Sequence, residues 1–245
     1  MRVSEALETR RTCRAFLPVP VPEATVRAIL AGASRAPSGG NLQPWRVWAL
    51  AGEDLRALER RVKDKIAGGA ISEGQTEYNI YPPEMREPYA ARHFAAGAQL
   101  YTALGIGRDD WAARKEQYVR HFDFFGAPVG LFFAIDRSMQ QGQWADLGMF
   151  MQSVMLLARE HGLHTAPLEA WAFWHETVRE VLRIPPELMF FCGMGLGRMD
   201  PDHPVNRYRT PRASVDEFAT LRGFGTFQAL SETMQPASSS ASGAS

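Results

Sequence analysis

Arginine gathers near both ends of the chain. "RRTCR" places Arg10, Arg11, Thr12 and Arg14 early, and "NRYRTPR" places Asn206, Arg207, Arg209 and Arg212 late. On spacing alone these are either solvated faces or two halves of one anion site. A phosphate monoester would justify the second reading, since a dianion taken out of bulk water needs two or three charge-assisted donors. A different polar group lies in "RAPSGGNLQPW", Arg35 to Trp45. Pro37, Gly39, Gly40 and Pro44 break helix and strand alike, so the stretch is a loop. Ser38, Asn41 and Gln43 give it polar side chains, its glycines let backbone approach a ligand, and Trp45 can anchor it against a neighbouring surface.

Other patterns fall short of chemistry. Gly193-x-Gly195-x-Gly197 follows a strand-like run, but "RMDPDHP" comes next, where a dinucleotide fingerprint needs a helix N-terminus. Those glycines are expected to let another part of the chain pass closely. His161-x-x-His164 has no third ligand at usable spacing, and His175-Glu176 lacks the second histidine of a zinc protease, so no metal is expected. Cys13 between arginines could have a depressed pKa, yet reads better as a small apolar residue facing the core. No G-x-S-x-G or comparable nucleophile arrangement is present. Cys13 and Cys192 lie far apart, which supports neither a disulfide framework nor a zinc knuckle. The opening "MRVSEALETRR" has no apolar run of the signal-peptide kind, and a reducing cytoplasm is the expected location. Lys+Arg and Asp+Glu both number 27, so bulk charge attracts neither nucleic acid nor an anionic membrane.

The elements that must position these residues can be read coarsely. At 245 residues and 45% hydrophobic, the chain can bury a sizeable core. Short helices are expected from Ser4 to Thr9 and, amphipathic with Val26, Ile29 and Leu30 on one face, from Pro22 to Arg35. Arg46–Leu50 reads as a strand, and "GEDLRALERRVKDKIAGG" as a charged surface helix stopped at Gly68-Gly69. "TEYNIYPPEMREPY" (Thr76–Tyr89) is aromatic, proline-rich and aperiodic, which suggests a lid, with helical stretches from there to about His121. Pro128–Asp136 and Met189–Gly197 read as buried strands. Between them, Trp144–Leu163 is apolar on nearly every face but too interrupted by charge to span a membrane. Such a helix belongs in the middle of a large core or at a subunit interface. Ser214-x-x-Glu217 opens a last short helix with a capping box. Helices and strands mix without a βαβ rhythm, so the class is α+β. One domain is expected over 1–225, with a flexible low-complexity tail over 226–245.

"RRTCRAFLPVPVP", "APSGGNLQPWRVWAL", "PLEAW" and "GMGLGRMDPDHPVNRYRTPRASVDEF", in that order, resemble the flavin-dependent nitroreductase family from about Arg10 to Phe218. The resemblance implies an α+β sandwich, a mixed or antiparallel sheet flanked by helices, in an intertwined homodimer with two shared FMN sites. The apolar helix would then lie at the subunit contact. Carried over by motif, Arg10 and Thr12, with neighbouring Arg11, would meet the FMN phosphate and ribityl chain, and Arg209 and Arg212 would close on the phosphate. Arg14 would face the flavin pyrimidine edge. Pro37, Ser38, Gly39, Asn41 and Gln43 match the loop that reaches the other subunit's flavin. Backbone of Leu168, Glu169 and Ala170 matches the segment whose N–H faces flavin N5. Family members often hold the pyrimidine with an Asn and a Lys; this chain has "YVRHFDFF" there, and Arg120 is the substitute.

The implied reaction is reduction of nitroaromatic or quinone-like small molecules by NAD(P)H. A guanidinium near flavin N1 and O2 stabilises negative charge on the reduced ring. No nicotinamide-binding domain is visible, so both substrates would use one flavin face in turn, a ping-pong hydride transfer. Tyr78, Tyr81 and Tyr89 of the lid could stack on a planar substrate; simple packing onto the domain is the other reading. Reductive dehalogenation, which uses a lid Glu, Tyr and Lys, would draw on Glu77 and Tyr81 but lacks the lysine. Flavin fragmentation, azole oxidation in a peptide-processing complex, and flavin binding without turnover are further alternatives.

Overall fold

A computed structural model describes residues 1–224; the expected tail over 226–245 lies outside the described residues. Chain contacts group into two compact units, Met1–Thr210 and Pro211–Ser245. The second holds a one-turn helix, Val215–Phe218, which opens with the expected capping box, the backbone N–H of Ser214 donating to Glu217 Oε1 at 2.8 Å.

The first unit is built on four strands: β1 Trp45–Ala51, β2 Val129–Asp136, β3 His164–Leu168 and β4 Leu188–Gly197. They lie in the order β1-β2-β4-β3, every pair antiparallel, with a register shift between Phe133 and Ala134. Alternation sorts the side chains of β2 onto two faces. Val129, Leu131, Phe133 and Ile135 meet α2 (Glu23–Ala33) and α6 (Gln141–Glu160) through Val26, Ile29, Leu147, Phe150 and Val154. Phe132 and Ala134 meet the opposite layer, α3 (Gly52–Ala67) and α7 (His175–Leu182) with the turns 120–126 and 169–174. Two layers on a sheet make the α+β sandwich.

The glycine run of β4 has a packing reason. A Cβ on Gly193 would meet Trp171 and Phe124 at 2.8 and 2.9 Å, and one on Gly197 would meet Pro128 at 2.5 Å. The sheet face is cleared so that the Phe124 and Trp171 rings can stack on it, 4.8 Å apart. Phe124 and Phe125 reach that position at φ 50° and 58°. Left-handed backbone at bulky residues costs about 1–3 kcal/mol each, which full burial of two aromatic rings offsets.

The apolar α6 is buried along one face, at Leu147, Phe150, Met151, Val154 and Ala158, while Met149 stays 40% exposed. Within one chain, therefore, the helix is covered on one side. Strand β3 and helix α7 had no counterpart in the sequence reading. β3 is a five-residue edge strand interrupted by Pro167, a residue an edge tolerates and a propensity reading discounts. Helix α1 (Val3–Thr9) opens the unit, and α4 (Tyr89–Leu104) and α5 (Trp111–Val119) follow the candidate lid. Among the described residues no helix is long and apolar enough to cross a membrane, and no group of His, Cys, Asp or Glu could hold a metal ion.

Candidate active site

The early arginine stretch meets Asn206 and Tyr208 at the start of the late one. Residues 10–16 run extended beside the β3 edge, where Thr12 bridges to Thr165 and Cys13 N–H donates to the Thr165 carbonyl at 2.9 Å. Cys13 is the buried pin of this segment: burial pushes its thiol up to about 12, so it packs and does not react. Asn206 ties the segment to the far end of the unit. Its side chain accepts from Arg14 N–H at 2.9 Å and donates to the Ala15 and Asp200 carbonyls at 2.8 Å. Its carbonyl accepts from Arg11 Nη1 at 2.7 Å, and Arg14 Nη1 meets the Tyr208 hydroxyl at 3.1 Å. Along the sequence Asn206 is one member of a basic cluster; in the fold its fully buried side chain ties the Arg11–Arg14 segment to the far end of the unit.

Cation gathers on cation here. Arg159, at the end of α6, donates to the Leu163 carbonyl and lies 3.2 Å from His164 Nδ1. Burial, Arg159 and Arg11 together drive the His164 imidazole down to about 4, so it is neutral near pH 7. Neither Arg11 nor Arg14 pairs with a carboxylate among the described residues, and the Nε atoms of both, with Thr165 Oγ1, are buried without a hydrogen-bond partner. Two guanidinium groups held close, beside orphaned donors, suit a ligand that brings negative charge.

Next to them opens a cleft of about 500 Å³. Arg14 and His121 line one part of it, Pro167–Ala170 another, with Tyr81, Phe173 and Phe191 adding aromatic surface. His121 holds its ring by donating from Nδ1 to the Tyr118 carbonyl at 2.8 Å, while its own carbonyl accepts from Trp171 Nε1 at 3.1 Å. Burial lowers its pKa, with Arg14 adding to the effect, so the ring is neutral and presents an unprotonated Nε2. Glu169 is half-buried at the cleft wall, and burial raises its carboxyl above the ordinary range.

The remaining expected residues divide. Arg120 does not line this cleft; its guanidinium sits 5.9 Å from the Phe125 ring, while its neighbour His121 occupies the wall. Tyr81 lines the cleft and is 56% exposed. Tyr78 is packed between Trp144 and Phe191, its hydroxyl donating to the Phe191 carbonyl at 2.8 Å. Tyr89 is exposed at the start of α4, away from the cleft lining. Glu77 is occupied structurally, accepting from Phe190 N–H at 3.0 Å and pairing with Arg137 and Arg179. Pro37–Gln43 does not line its own chain's cleft either. That loop is pinned where Gly39 N–H donates to the buried Asp146 of α6 at 3.1 Å, and Gln43 N–H to Ser38 Oγ at 3.0 Å. Gly40, Asn41 and Gln43 all adopt left-handed backbone there. Arg10 is half-buried, Arg209 exposed in the first unit, and Arg212 exposed in the second.

A helix-flanked antiparallel sheet carrying a guanidinium cluster and an aromatic cleft defines a binder of planar anionic ligands. Comparison with known proteins narrows the class. The Nitroreductase family pattern matches residues 7–198. The chain is 36% identical over 220 residues to a chloronitrobenzene nitroreductase of Comamonas testosteroni, covering 89% of this chain and 96% of that protein. It is 35% identical over 217 residues to a 4-nitrobenzoate reductase of Pseudomonas putida, covering 88% and 93%. The FMN and NADPH-dependent nitroreductase NfnB of Sphigopyxis sp. strain HMH superposes with a TM-score of 0.88 at 45% identity, covering 91% of this chain and all of that one. NfnB of Mycobacterium smegmatis, solved with NADPH, superposes at 0.83 with 28% identity, covering 90% and 99%. The chain belongs to the nitroreductase family.

Proposed function

We propose that this protein is an FMN-dependent oxidoreductase that uses NAD(P)H to reduce nitroaromatic or quinone-like small molecules by ping-pong hydride transfer. The observation that carries the reading is the meeting of Arg11 and Arg14 with the Asn206 segment beside the cleft, with orphaned guanidinium donors and, among the described residues, no carboxylate partner. FMN fits that chemistry, being a phosphate dianion joined to a planar ring. The names of the relatives, chloronitrobenzene and nitrobenzene nitroreductases and 4-nitrobenzoate reductases, support the substrate class.

When bound, the flavin supplies reversible two-electron hydride chemistry. The protein's part is to bind and bias. Arg10, Arg11 and Arg209 would neutralise the phosphate, and the Thr12 hydroxyl would donate a hydrogen bond to it. Arg14, fixed through its backbone by Asn206, sets a cation at the cleft wall and favours negative charge on the reduced ring. Backbone N–H groups in Leu168–Ala170 serve as donors to the reacting edge, and Tyr81 covers one side with aromatic surface. Because Pro37–Gln43 does not line its own chain's cleft, we assign it to the site of a second copy in a homodimer, across the half-exposed face of α6. Tyr78 holds the root of the lid, and Tyr81 is its substrate-facing ring. Two buried free cysteines suit a cytoplasmic location.

Purified protein is expected to be yellow, with about one FMN per chain, to bleach on adding NADPH or NADH, and to recover colour on adding a nitroarene. Colourless protein that fails to take up FMN would overturn the reading. Initial rates at several nitroarene concentrations should give parallel double-reciprocal lines; intersecting lines would require a ternary complex and a separate nicotinamide site.

A further inference from the structure

Reduction of a nitro group to a nitroso group consumes one hydride and one proton and releases one water. NAD(P)H supplies the hydride equivalent through the activity proposed above, on which this inference rests. The proton needs a donor inside the cleft. We propose that the carboxyl group of Glu169 donates it to the nitro oxygen that departs.

Position makes Glu169 the candidate. It belongs to the Pro167–Ala170 wall of the cleft, immediately after β3, and its backbone lies within the segment assigned to the flavin's reacting edge. Among the described residues nothing donates a hydrogen bond to its carboxylate and no cation pairs with it. Tyr78 of the lid and Cys192 of β4 feel the Glu169 charge, and the other titratable or charged groups that line the same cleft are Tyr81 of the lid, Tyr118 from α5, His121 from the turn after it and Arg14 from the N-terminal segment. Tyr78 donates its hydroxyl proton to Phe191, and the Cys192 thiol is fully buried. His121 commits its one ring N–H to the Tyr118 carbonyl, which leaves its other nitrogen an acceptor and not a proton donor. Burial disfavours the carboxylate form of Glu169, so its proton is retained to higher pH than on a solvated glutamate.

The step balances. Hydride adds to the nitro group, Glu169 protonates a nitro oxygen, the N–O bond breaks, and that oxygen leaves as water containing the hydride's hydrogen and the glutamate's proton. The Glu169 carboxylate then regains a proton from solvent through the open mouth of the cleft.

The test compares two oxidants on the FMN-loaded enzyme. Ferricyanide takes electrons one at a time and needs no proton. Glu169→Gln should lower kcat/KM for a nitroarene by roughly 10²–10⁴-fold more than it lowers the NADPH:ferricyanide rate of the same flavin-loaded variant, the usual size of a general-acid contribution. Wild-type nitroarene reduction should decline as pH rises through the Glu169 pKa, a limb the variant lacks, and Glu169→Asp should restore part of the rate. In the apoprotein, ¹³C-glutamate NMR should show one carboxyl, missing from Glu169→Gln, with a midpoint above the ordinary 4.5. Equal losses with both oxidants would make Glu169 a structural residue and overturn the proposal. So would an unchanged nitroarene rate, or the same selective loss in Tyr81→Phe. If the wild-type protein binds no flavin or accepts no electrons from NAD(P)H, the parent reading falls and this one with it; if only the contrast between oxidants is missing, this one falls alone.

Discussion

His164 reports on the charge that surrounds it. Its folded-state pKa lies near 4, below the ordinary 6.5, because burial, Arg159 and Arg11 all oppose protonation. A depressed pKa means that the unfolded chain takes up a proton first as pH falls. The associated stability is complete above pH 6.5 and is lost progressively down to about 4. Its full size is on the order of 3 kcal/mol. His164→Gln should flatten this part of the pH–stability curve, measured by urea unfolding of apoprotein between pH 7 and 4. A phosphate placed among the guanidiniums would reverse their effect. FMN should therefore raise the His164 midpoint in an NMR titration, and a midpoint indifferent to FMN would move the phosphate away from Arg11 and Arg159.

At the level of elements, α3 carries a linkage of opposite sign. Glu59 sits on its buried face, and burial with Asp123 nearby raises the carboxyl from 4.5 to about 7. A raised acid favours the fold below pH 4.5, and that contribution disappears as pH rises to about 7. The two linkages overlap and partly cancel in the wild type, so each must be read from its own variant. Glu59→Gln should stabilise the protein above pH 7 by roughly 1–3 kcal/mol and change little at pH 4.5. The lid separates in the same way into anchor and cover. Glu73 pairs with Lys65 at 2.5 Å, Glu77 pairs with Arg137 and Arg179, and Tyr78 bonds the Phe191 carbonyl, so the root of the segment belongs to the scaffold. Tyr78→Phe should lower stability by about 1 kcal/mol with kcat/KM for nitroarenes nearly unchanged. Tyr81→Ala should do the reverse, altering kcat/KM while the melting temperature holds; a fall in both variants of both quantities would refute the division.

For the whole molecule, the strongest prediction concerns two chains. The proposed shared site, Arg14 and Leu168–Ala170 of one copy beside Arg11 and closed by Pro37–Gln43 of another, can be dissected by complementation. Arg10→Glu should abolish flavin binding from one side of the site, and Ser38→Ala with Asn41→Ala should impair it from the other. Refolded together, the mixed dimer has one site with both defects and one with none. It should regain up to about half of wild-type activity per dimer, and mixed dimers that form yet stay inactive would place the loop elsewhere. Isologous contacts across α6 are the geometry this requires.

Local chemistry made much of the protein legible before any coordinates. Periodicity and stop signals place α2 and α3, whose apolar faces are the ones they bury, and runs of apolar residues place β1, β2, β4 and α6, the last buried along one face only within the chain. The loop at Pro37–Gln43, the inert Cys13 and the close-packing glycines of β4 follow from what Pro, Gly and Cys do anywhere. The resemblance of ordered motifs supplied the family. Tertiary structure alone decided the rest, since it turns on distance and burial between residues far apart in the chain. Asn206 becomes the joint between the Arg11–Arg14 segment and the far end of the unit only when residues 10–16 lie beside β3. Arg159, read along the sequence as one charge interrupting an apolar helix, joins Arg11 at His164. His121 and not its neighbour Arg120 lines the cleft, because successive residues of the turn 120–126 point in different directions and only the packed fold decides which one meets the wall. β3 itself escaped because five residues with a proline have no local preference for a strand; pairing with β4 supplies it.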